Sequence, residues 1–597
     1  MQSVTHRNGG GDINTEGASI DSGSLQVLNG LRVHAAFHHI VEKNFEQNIR
    51  GTVNASYLSL VQPFDSDQSK LSLIVSNNTE SGNPPDKVPQ PLLDQFGRNW
   101  FWPTNVYAEW DKTRATNVIL GLDSLVNDYT MADIRLFVSD NRNDRTAYGN
   151  PATANPSKGG GTYLGYRIPE SIKSCSALTG YGANYDTYND SAAQAMFGSC
   201  AAGSAFQRYL DDYKGVGGRA DFTLMLPYNT VGFGGLVDEF HDTSQEYWYG
   251  SAPVPTTIGL NDAWYEEDTV QYLDGYLQDD VALWDKRVHL YPGVKLVRTH
   301  VGAMDAQGYY YGYAGQAGKS YAFTEPSIGG RYDFAPDWNA YVNWGRSEKA
   351  PNVSAFYSLI GSAPSPAPVT VKPEYVNSID AGVRYAGDWG KASVAVFNRQ
   401  FQDIFSYSYD SSTGVTNEYN AGSARYRGFT LKFEKHFGDG LGLYANYGMT
   451  HAVYTQGFTG DNGTVTAGQW RTDVPKYTAN LGADWSAGPT YLRLTDHLVG
   501  SQYLAYESGE TSPRQLGSYQ VLSALGSYKW KPAGAAYGVK FELFIDNLLN
   551  RNYAIGANIH GAAADYTNPT SASLYPEQQS APGAPRTIGL RVRLILE

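Results

Sequence analysis

The sequence predicts an all-β fold: one large antiparallel, membrane-spanning β-barrel of about 22 strands, with short turns at one end and long loops at the other. Three observations carry this reading. Apolar and polar residues alternate with period two from one end of the chain to the other, the pattern of strands with one apolar face. Tyr and Trp are abundant, at 45 and 12 of 597 residues, as suits a surface that is apolar in the middle and wet at both rims. Tight turn signals alternate with long stretches rich in Gly, Ser, Tyr, Asn and Asp. Mean hydropathy is only −0.41, and no stretch approaches the roughly 20 apolar residues of a transmembrane helix. A barrel tolerates that polar average because alternate residues face its lumen. No fixed repeat and no amphipathic helix stand out, which argues against a propeller or solenoid.

At the N-terminus, Met1 to Arg7 carry no apolar core, so no signal peptide is read there. Residues 1–20 are expected to be a disordered or residual segment ahead of a barrel at 21–597. Leu25, Val27, Leu31, Val33, Ala35 and Phe37 share one face, against Gln26, Arg32, His34 and His38. Ile49, Val53, Ala55 and Tyr57 alternate in the same way with Arg50, Thr52, Asn54 and Ser56. The final strand is the cleanest: Ile588, Leu590, Val592, Leu594 and Leu596 oppose Thr587, Gly589, Arg591 and Arg593. Arginines facing lipid would cost about 2–4 kcal/mol each at the bilayer midplane, so they are expected in a wet lumen or against whatever fills it. Asp285-Lys286-Arg287 and Asp333 to Trp338 read as tight turns. Long loops are expected at 140–215, 245–268, 300–322, 357–370, 406–420, 454–472, 503–517 and 556–585.

A net charge of −14 argues against a nucleic-acid partner. Cys175 and Cys200, alone in one polar stretch, are expected to form a disulfide in an oxidising compartment; two free thiols are the alternative. No catalytic constellation is found, so an enzyme is not expected. His34, His38 and His39 lack metal-ligand spacing, and neither a metal nor a cofactor is expected. Gly9–Gly11 and Gly159–Gly161 lack the context of a phosphate loop. Candidate ligand contacts are Arg98, Trp100 and Trp102; Trp248 between Tyr247 and Tyr249; and Tyr309, Tyr310, Tyr311 and Tyr313. Flat rings offer contact area at low entropic cost, and an adjacent Arg suits an anionic chelate. The competing reading for each ring is the aromatic belt at the membrane boundary.

Six segments then stand in one order. They are Tyr276-Leu277-Gln278-Asp279-Asp280 with Leu290-Tyr291-Pro292-Gly293; Lys349-Ala350-Pro351-Asn352; Lys372-Pro373-Glu374-Tyr375; Asn420-Ala421-Gly422 through Gly428; Val474-Pro475-Lys476-Tyr477; and Asp546-Asn547-Leu548 through Tyr553. In that order they resemble the C-terminal barrel of TonB-dependent receptors. Pro351 and Pro475 are expected at strand entrances, where a missing N–H does no harm. Gly428 is expected at a bulge or a close backbone approach.

The resemblance implies a plugged barrel in the outer membrane of a Gram-negative bacterium, among lipid and lipopolysaccharide. It further implies energised import of a large scarce ligand, foremost a ferric siderophore, with the TonB complex pulling on an N-terminal box. The family also imports cobalamin and oligosaccharides, and a passive pore is the alternative from another class. Neither plug nor TonB box is visible before residue 20, and Glu597 stands where the closing strand usually ends in an aromatic. The sequence therefore reads as the barrel portion of such a receptor without its plug.

Overall fold

Alternation makes each strand a two-faced ribbon, and in the computed structural model the ribbons close on themselves. The structure describes residues 2–8, 12–103, 107–149, 162–163, 166–167, 205–249, 264–306, 314–360, 370–410, 415–460, 463–504, 514–560 and 577–596. Among them, one sheet of 22 antiparallel strands runs in chain order. These are β1 (Gln2–Asn8), β2 (Asp12–Leu25), β3 (Leu31–Lys43), β4 (Arg50–Phe64), β5 (Ser69–Gly82), β6 (Tyr107–Asn127), β7 (Thr130–Gly149), β8 (Ala205–Met225), β9 (Asn229–Tyr249), β10 (Trp264–Leu283) and β11 (Val288–Asp305). The wall continues with β12 (Gly315–Ala335), β13 (Trp338–Lys349), β14 (Glu374–Gly387), β15 (Gly390–Gln402), β16 (Ser423–His436), β17 (Leu441–Gln456), β18 (Tyr477–Ala487), β19 (Thr490–Val499), β20 (Tyr519–Trp530), β21 (Tyr537–Asp546) and β22 (Thr587–Leu596).

β1 pairs with β2 on one side and β22 on the other, with Val4 opposite Val592, so the sheet has no open edge. Lipid demands this, because an unpaired edge there has no water to bond. The residues expected as a pre-barrel segment thus include β1 and much of β2, and the wall begins ahead of the boundary placed at residue 21.

Register sorts the side chains. On β22, Ile588 and Leu590 face outward and are exposed, whereas Arg591 and Arg593 face the lumen. There Glu542 receives Arg593 at 3.1 Å and Lys540 at 2.7 Å. The expected placement of these arginines holds. Outward apolar residues end abruptly along the strands: Val138 gives way to Asp140, Val216 to Lys214, Val237 to Glu239 and Leu296 to Arg298. That change marks the membrane boundary. At the opposite, short-turn boundary the rings of Tyr332, Phe334, Trp338, Tyr385, Trp389 and Phe433 form a ladder with centroids 4.9–6.3 Å apart. It is the aromatic belt that the composition anticipates.

Connections alternate as expected. Turns at 284–287 and 336–337 are tight, while the segments 83–106, 150–204, 350–373, 403–422 and 547–586 are long. The strands nevertheless run further into the expected loops than alternation suggested: β7 reaches Gly149, and β8 starts at Ala205. Above the boundary both faces are polar, so the period-two contrast disappears while the hydrogen-bonded ladder continues. Among the described residues, two short helices, α1 (Gln90–Phe96) and α2 (Ser354–Ile360), were not anticipated. At seven residues each they are too short to show helical periodicity. Leu25 and Val27 do not share a continuous strand, because Gln26–Leu28 form a 3-10 turn. Pro351 follows the exit of β13 rather than opening a strand, and Pro475 lies just ahead of β18.

Candidate functional site

The long-loop end of the barrel is roofed from inside. The segment after β13 turns into the lumen as α2 and lays Phe356 (0% exposed), Tyr357 and Ile360 against Val297, Val301 and Phe323 of the inner wall. A seven-residue helix does not hold itself together in water, so its stability comes from this burial. The Tyr357 hydroxyl donates to both carboxylate oxygens of Asp268, at 2.6 and 2.7 Å.

Beside the roof lies a cavity of about 700 Å³. Tyr213, Phe240, Tyr272 and Phe323 supply its apolar surface, and Asp242, Asp268, Glu325 and Glu348, with Lys295 and Lys349, its charge. Lys295 reaches Glu325 at 3.2 Å and the Tyr272 hydroxyl at 3.2 Å. Asp242 and Asp268 sit directly opposite each other across β9 and β10. Like charges so placed repel unless a donor or cation compensates. Tyr357 does so for Asp268, and a ligand with cationic or donor groups would do so for Asp242. Among the described residues no group of three or more His, Cys, Asp or Glu is placed to hold a metal ion.

The motif residues form the base of this roof. Glu418, on the hairpin Phe405–Asp410 and Val415–Asn420, accepts from the Asn352 backbone N–H at 3.0 Å and the Ser354 hydroxyl at 3.1 Å. Burial raises the Glu418 pKa against these bonds and the nearby Lys349. The Asn352 amide also donates to Tyr407 at 2.8 Å. Asn420 exchanges hydrogen bonds with Lys372 on both amide atoms (2.8 Å each) and donates to the Asp403 carbonyl at 2.9 Å. Gly422 has φ +64°, a turn conformation suited to glycine. Glu374, after Pro373, accepts from the Phe405 N–H at 3.1 Å.

The other motif positions are structural too. Pairing of β10 with β11 lapses at Asp279–Asp280, opposite Pro292, which has no N–H to donate. Asp279 accepts instead from the Asn229 amide at 2.6 Å, and Gln278 pairs with Gly293. A Cβ on Gly428 would collide with the Met449 carbonyl, so the expected close approach is present, without a bulge. Asn547, 2% exposed, clamps the last loop through Arg551 and Ala584. Leu548 donates its N–H to Leu522, and Tyr553 stacks on Tyr519 at 4.7 Å.

Arg98, Trp100 and Trp102 come together in a strap across the rim. Trp102 is fully buried and Trp100 is 8% exposed, their rings 5.3 Å apart. Arg98 donates to the Arg551 carbonyl at 2.7 Å and to Asn550 at 2.5 Å. The strand Val88–Pro89 pairs with Gln579 and Ser580, so the strap spans β1–β4 to reach the last loop. Beneath it, Gln47 donates its N–H to Asn99 and Asn48 its amide to Trp102. Glu46 is 5% exposed, and burial, with Asp86 adding to it, raises its pKa to about 7. Trp248 lies near the upper end of β9. Tyr309, Tyr310, Tyr311, Tyr313, Cys175 and Cys200 lie outside the described residues. Sequence reasoning missed Phe356, Tyr357, Asp268 and Glu418, and no local pattern marked them, because they meet across 60 to 90 residues of chain.

Residues 45–548 match the family model for the TonB dependent receptor-like β-barrel. A 250-residue stretch is 24% identical to transferrin-binding protein A of Neisseria meningitidis serogroup B, taking in 37% of this chain and 27% of that protein. The match thus spans little more than a quarter of that relative's length. Among solved structures, the ferric citrate transporter FecA in its unliganded form superposes with a TM-score of 0.72 at 15% identity. The alignment covers 100% of this chain and 78% of FecA. The ferric yersiniabactin uptake receptor FyuA of Yersinia pestis gives 0.68 at 13% identity, covering 100% and 79%. The copper transporter OprC gives 0.63 at 14%, covering 100% and 80%.

Proposed function

We propose that this chain, which belongs to the TonB-dependent receptor-like β-barrel family of the outer membrane, is the barrel of an active importer that admits a ferric chelate of siderophore type. The observation that carries the reading is the cavity of about 700 Å³ at the long-loop end, lined by aromatic rings and carboxylates and flanked by a helix docked from a loop. A pocket of that size suits a compact chelate. The uptake of ferric citrate and ferric yersiniabactin by similarly folded receptors supports the same ligand class. With Glu325 paired to Lys295, the four carboxylates Asp242, Asp268, Glu325 and Glu348 still outnumber the two lysines of the lining, which favours a chelate with a neutral or cationic surface over the anionic one first suggested by Arg98. Trp248, Tyr309, Tyr310, Tyr311 and Tyr313 are proposed as further contacts. A plug in the lumen and the TonB complex acting on it belong to this proposal, as does contact with outer-membrane lipid.

The test is uptake of radioactive iron, supplied as a panel of ferric chelates of differing charge, by iron-starved cells with and without this protein. Uptake that needs the protein and stops when a protonophore collapses the proton gradient is the expected result. Protein-dependent uptake that survives the protonophore would instead establish a passive pore.

A further inference from the structure

We propose that Asp242 is the specificity-determining residue of the cavity, and that its carboxylate binds a protonated primary amine carried on the periphery of the imported chelate. The assignment rests on the reading of that cavity as the chelate site. It adds the chemical group by which one chelate is preferred to another.

Asp242 faces the lumen from β9, beyond the membrane boundary that Val237 and Glu239 mark on that strand. The other carboxylates of the lining are compensated. Glu325 meets Lys295 at 3.2 Å, Glu348 meets Arg346 at 2.9 Å, and Asp268 accepts from Tyr357 at 2.6 Å. Asp211, on the neighbouring β8, accepts from Ser244 at 2.5 Å. Asp242 differs: its Oδ1 is buried and accepts no hydrogen bond, and among the described residues no cation lies within ion-pair distance of it. Neither lysine of the lining serves it. Lys295 is also held by the Tyr272 hydroxyl at 3.2 Å, and Lys349 sits over the Phe405 ring at 5.5 Å.

Two costs therefore meet at one atom. A buried acceptor lacks a donor, and a carboxylate lies directly opposite that of Asp268. Burial first, then the charges of Asp211 and Asp268, raise the Asp242 pKa to about 7. A group that removes both costs brings a positive charge and an N–H together. A protonated primary amine does so with three donors on one compact centre. A phosphate or carboxylate would add repulsion, and a hydroxyl would leave the charge unanswered.

The rings beside Asp242 suit the same group. Tyr213 stands directly opposite it on β8, and Phe240 lies two residues along its own strand. Both are 42% exposed although they face the lumen, so lipid contact does not account for them. Phe240 lies across Gly215, which has no side chain to fill the space. An ammonium over an aromatic face gains attraction from the ring, and the alkyl stem behind it finds apolar surface.

The test is calorimetric binding to the folded chain in detergent. Three ferric chelates, with hydroxamate, catecholate and hydroxycarboxylate donors, are each prepared with a free primary amine and with that amine acetylated. The amine form should bind tighter by roughly tenfold to a hundredfold, the range of a hydrogen bond to a charged partner. Asp242→Asn should erase this preference by weakening the amine form alone, and Asp242→Glu should keep part of it. Asp212→Asn, which removes a carboxylate already paired with Lys214 at 3.3 Å, should leave it intact. Migration of unboiled samples on a gel verifies that every variant is a closed barrel. Equal binding of amine and acetylated forms overturns the proposal and leaves the chelate reading standing. A preference that survives Asp242→Asn also overturns it, since another group would then bind the amine. Binding of none of the six chelates overturns both readings.

Discussion

Replacing Phe356 by Ala isolates the roof helix from the barrel that carries it. The ring is fully buried against Val297, Val301 and Phe323, and it belongs to no barrel strand. Deleting a buried Phe side chain costs about 3–5 kcal/mol. That cost falls on the docking of α2, because the ladder of β11 and β12 runs through backbone groups that the ring does not touch. The remaining anchors are the Tyr357–Asp268 and Ser354–Glu418 hydrogen bonds, each a net contribution of about 1–3 kcal/mol. The undocked fraction of α2 should therefore rise by a factor between roughly one hundred and a few thousand. Hydrogen exchange read by mass spectrometry reports this directly. Amides of 355–360 should lose protection by that factor, while those of 290–301 stay as in the wild type. Unchanged exchange in α2 would refute the idea that burial alone docks the roof. Loss of protection in both segments would show that roof and wall unfold together.

Four further outcomes are expected, three from the geometry and one, for Cys175 and Cys200, from the sequence alone. Glu46 has a folded pKa raised from 4.5 to about 7, so the docked strap binds the proton more tightly than the undocked one. Its docking is strongest in acid and weakens as pH rises from about 4.5 through about 7. Proteolysis of 88–102 should accelerate across that window, and Glu46→Gln should abolish the dependence. Arg98→Ala removes two hydrogen bonds to the last loop, about 1–3 kcal/mol, and Arg98→Lys should not restore the fork geometry. Protection of 578–582 by hydrogen exchange checks this. Gly428→Val drives a side chain into the Met449 carbonyl and should cut the yield of heat-modifiable, folded barrel; an unchanged yield would contradict the close approach. Cys175 and Cys200 should resist alkylation in the unfolded, unreduced chain and both react after reduction.

The barrel was legible because lipid enforces a rule on single residues. Within the band every outward position must be apolar, and Ile588, Leu590, Val592 and Leu594 state this without tertiary information. The rule lapses where the wall leaves the membrane. On β7, Asp140, Arg142 and Asp144 face outward and Asn141, Asn143 and Arg145 inward, so polar residues occupy both faces and the strand resembles a loop. Closure through β1 was hidden for a related reason. Its seven residues, Gln2 to Asn8, contain a single apolar side chain, Val4, and are strand because β2 and β22 flank them.

The site was less legible than the wall, and the candidate contacts show why. Arg-Asn-Trp-Phe-Trp at 98–102 has the composition of a ligand surface, but composition does not reveal which side of a ring is covered. What covers these rings comes from Gln47 and Asn48, the latter 54 positions from Trp102, and from Asn550, Arg551, Gln579 and Ser580, more than 450 positions away. The motif residues are the converse case. Asn352, Glu374, Asn420 and Gly422 are separated by up to 70 residues yet converge on the joint between the α2 loop and the next hairpin. Each satisfies or shapes backbone at a loop base, a task that fixes residue type closely, so these positions spell a recognisable signature. The cavity asks less of its wall. Its apolar surface tolerates many side chains of similar volume, and its carboxylates need only face inward near the rim. A signature strong enough to identify the fold can therefore surround a pocket whose own residues leave no mark in the sequence.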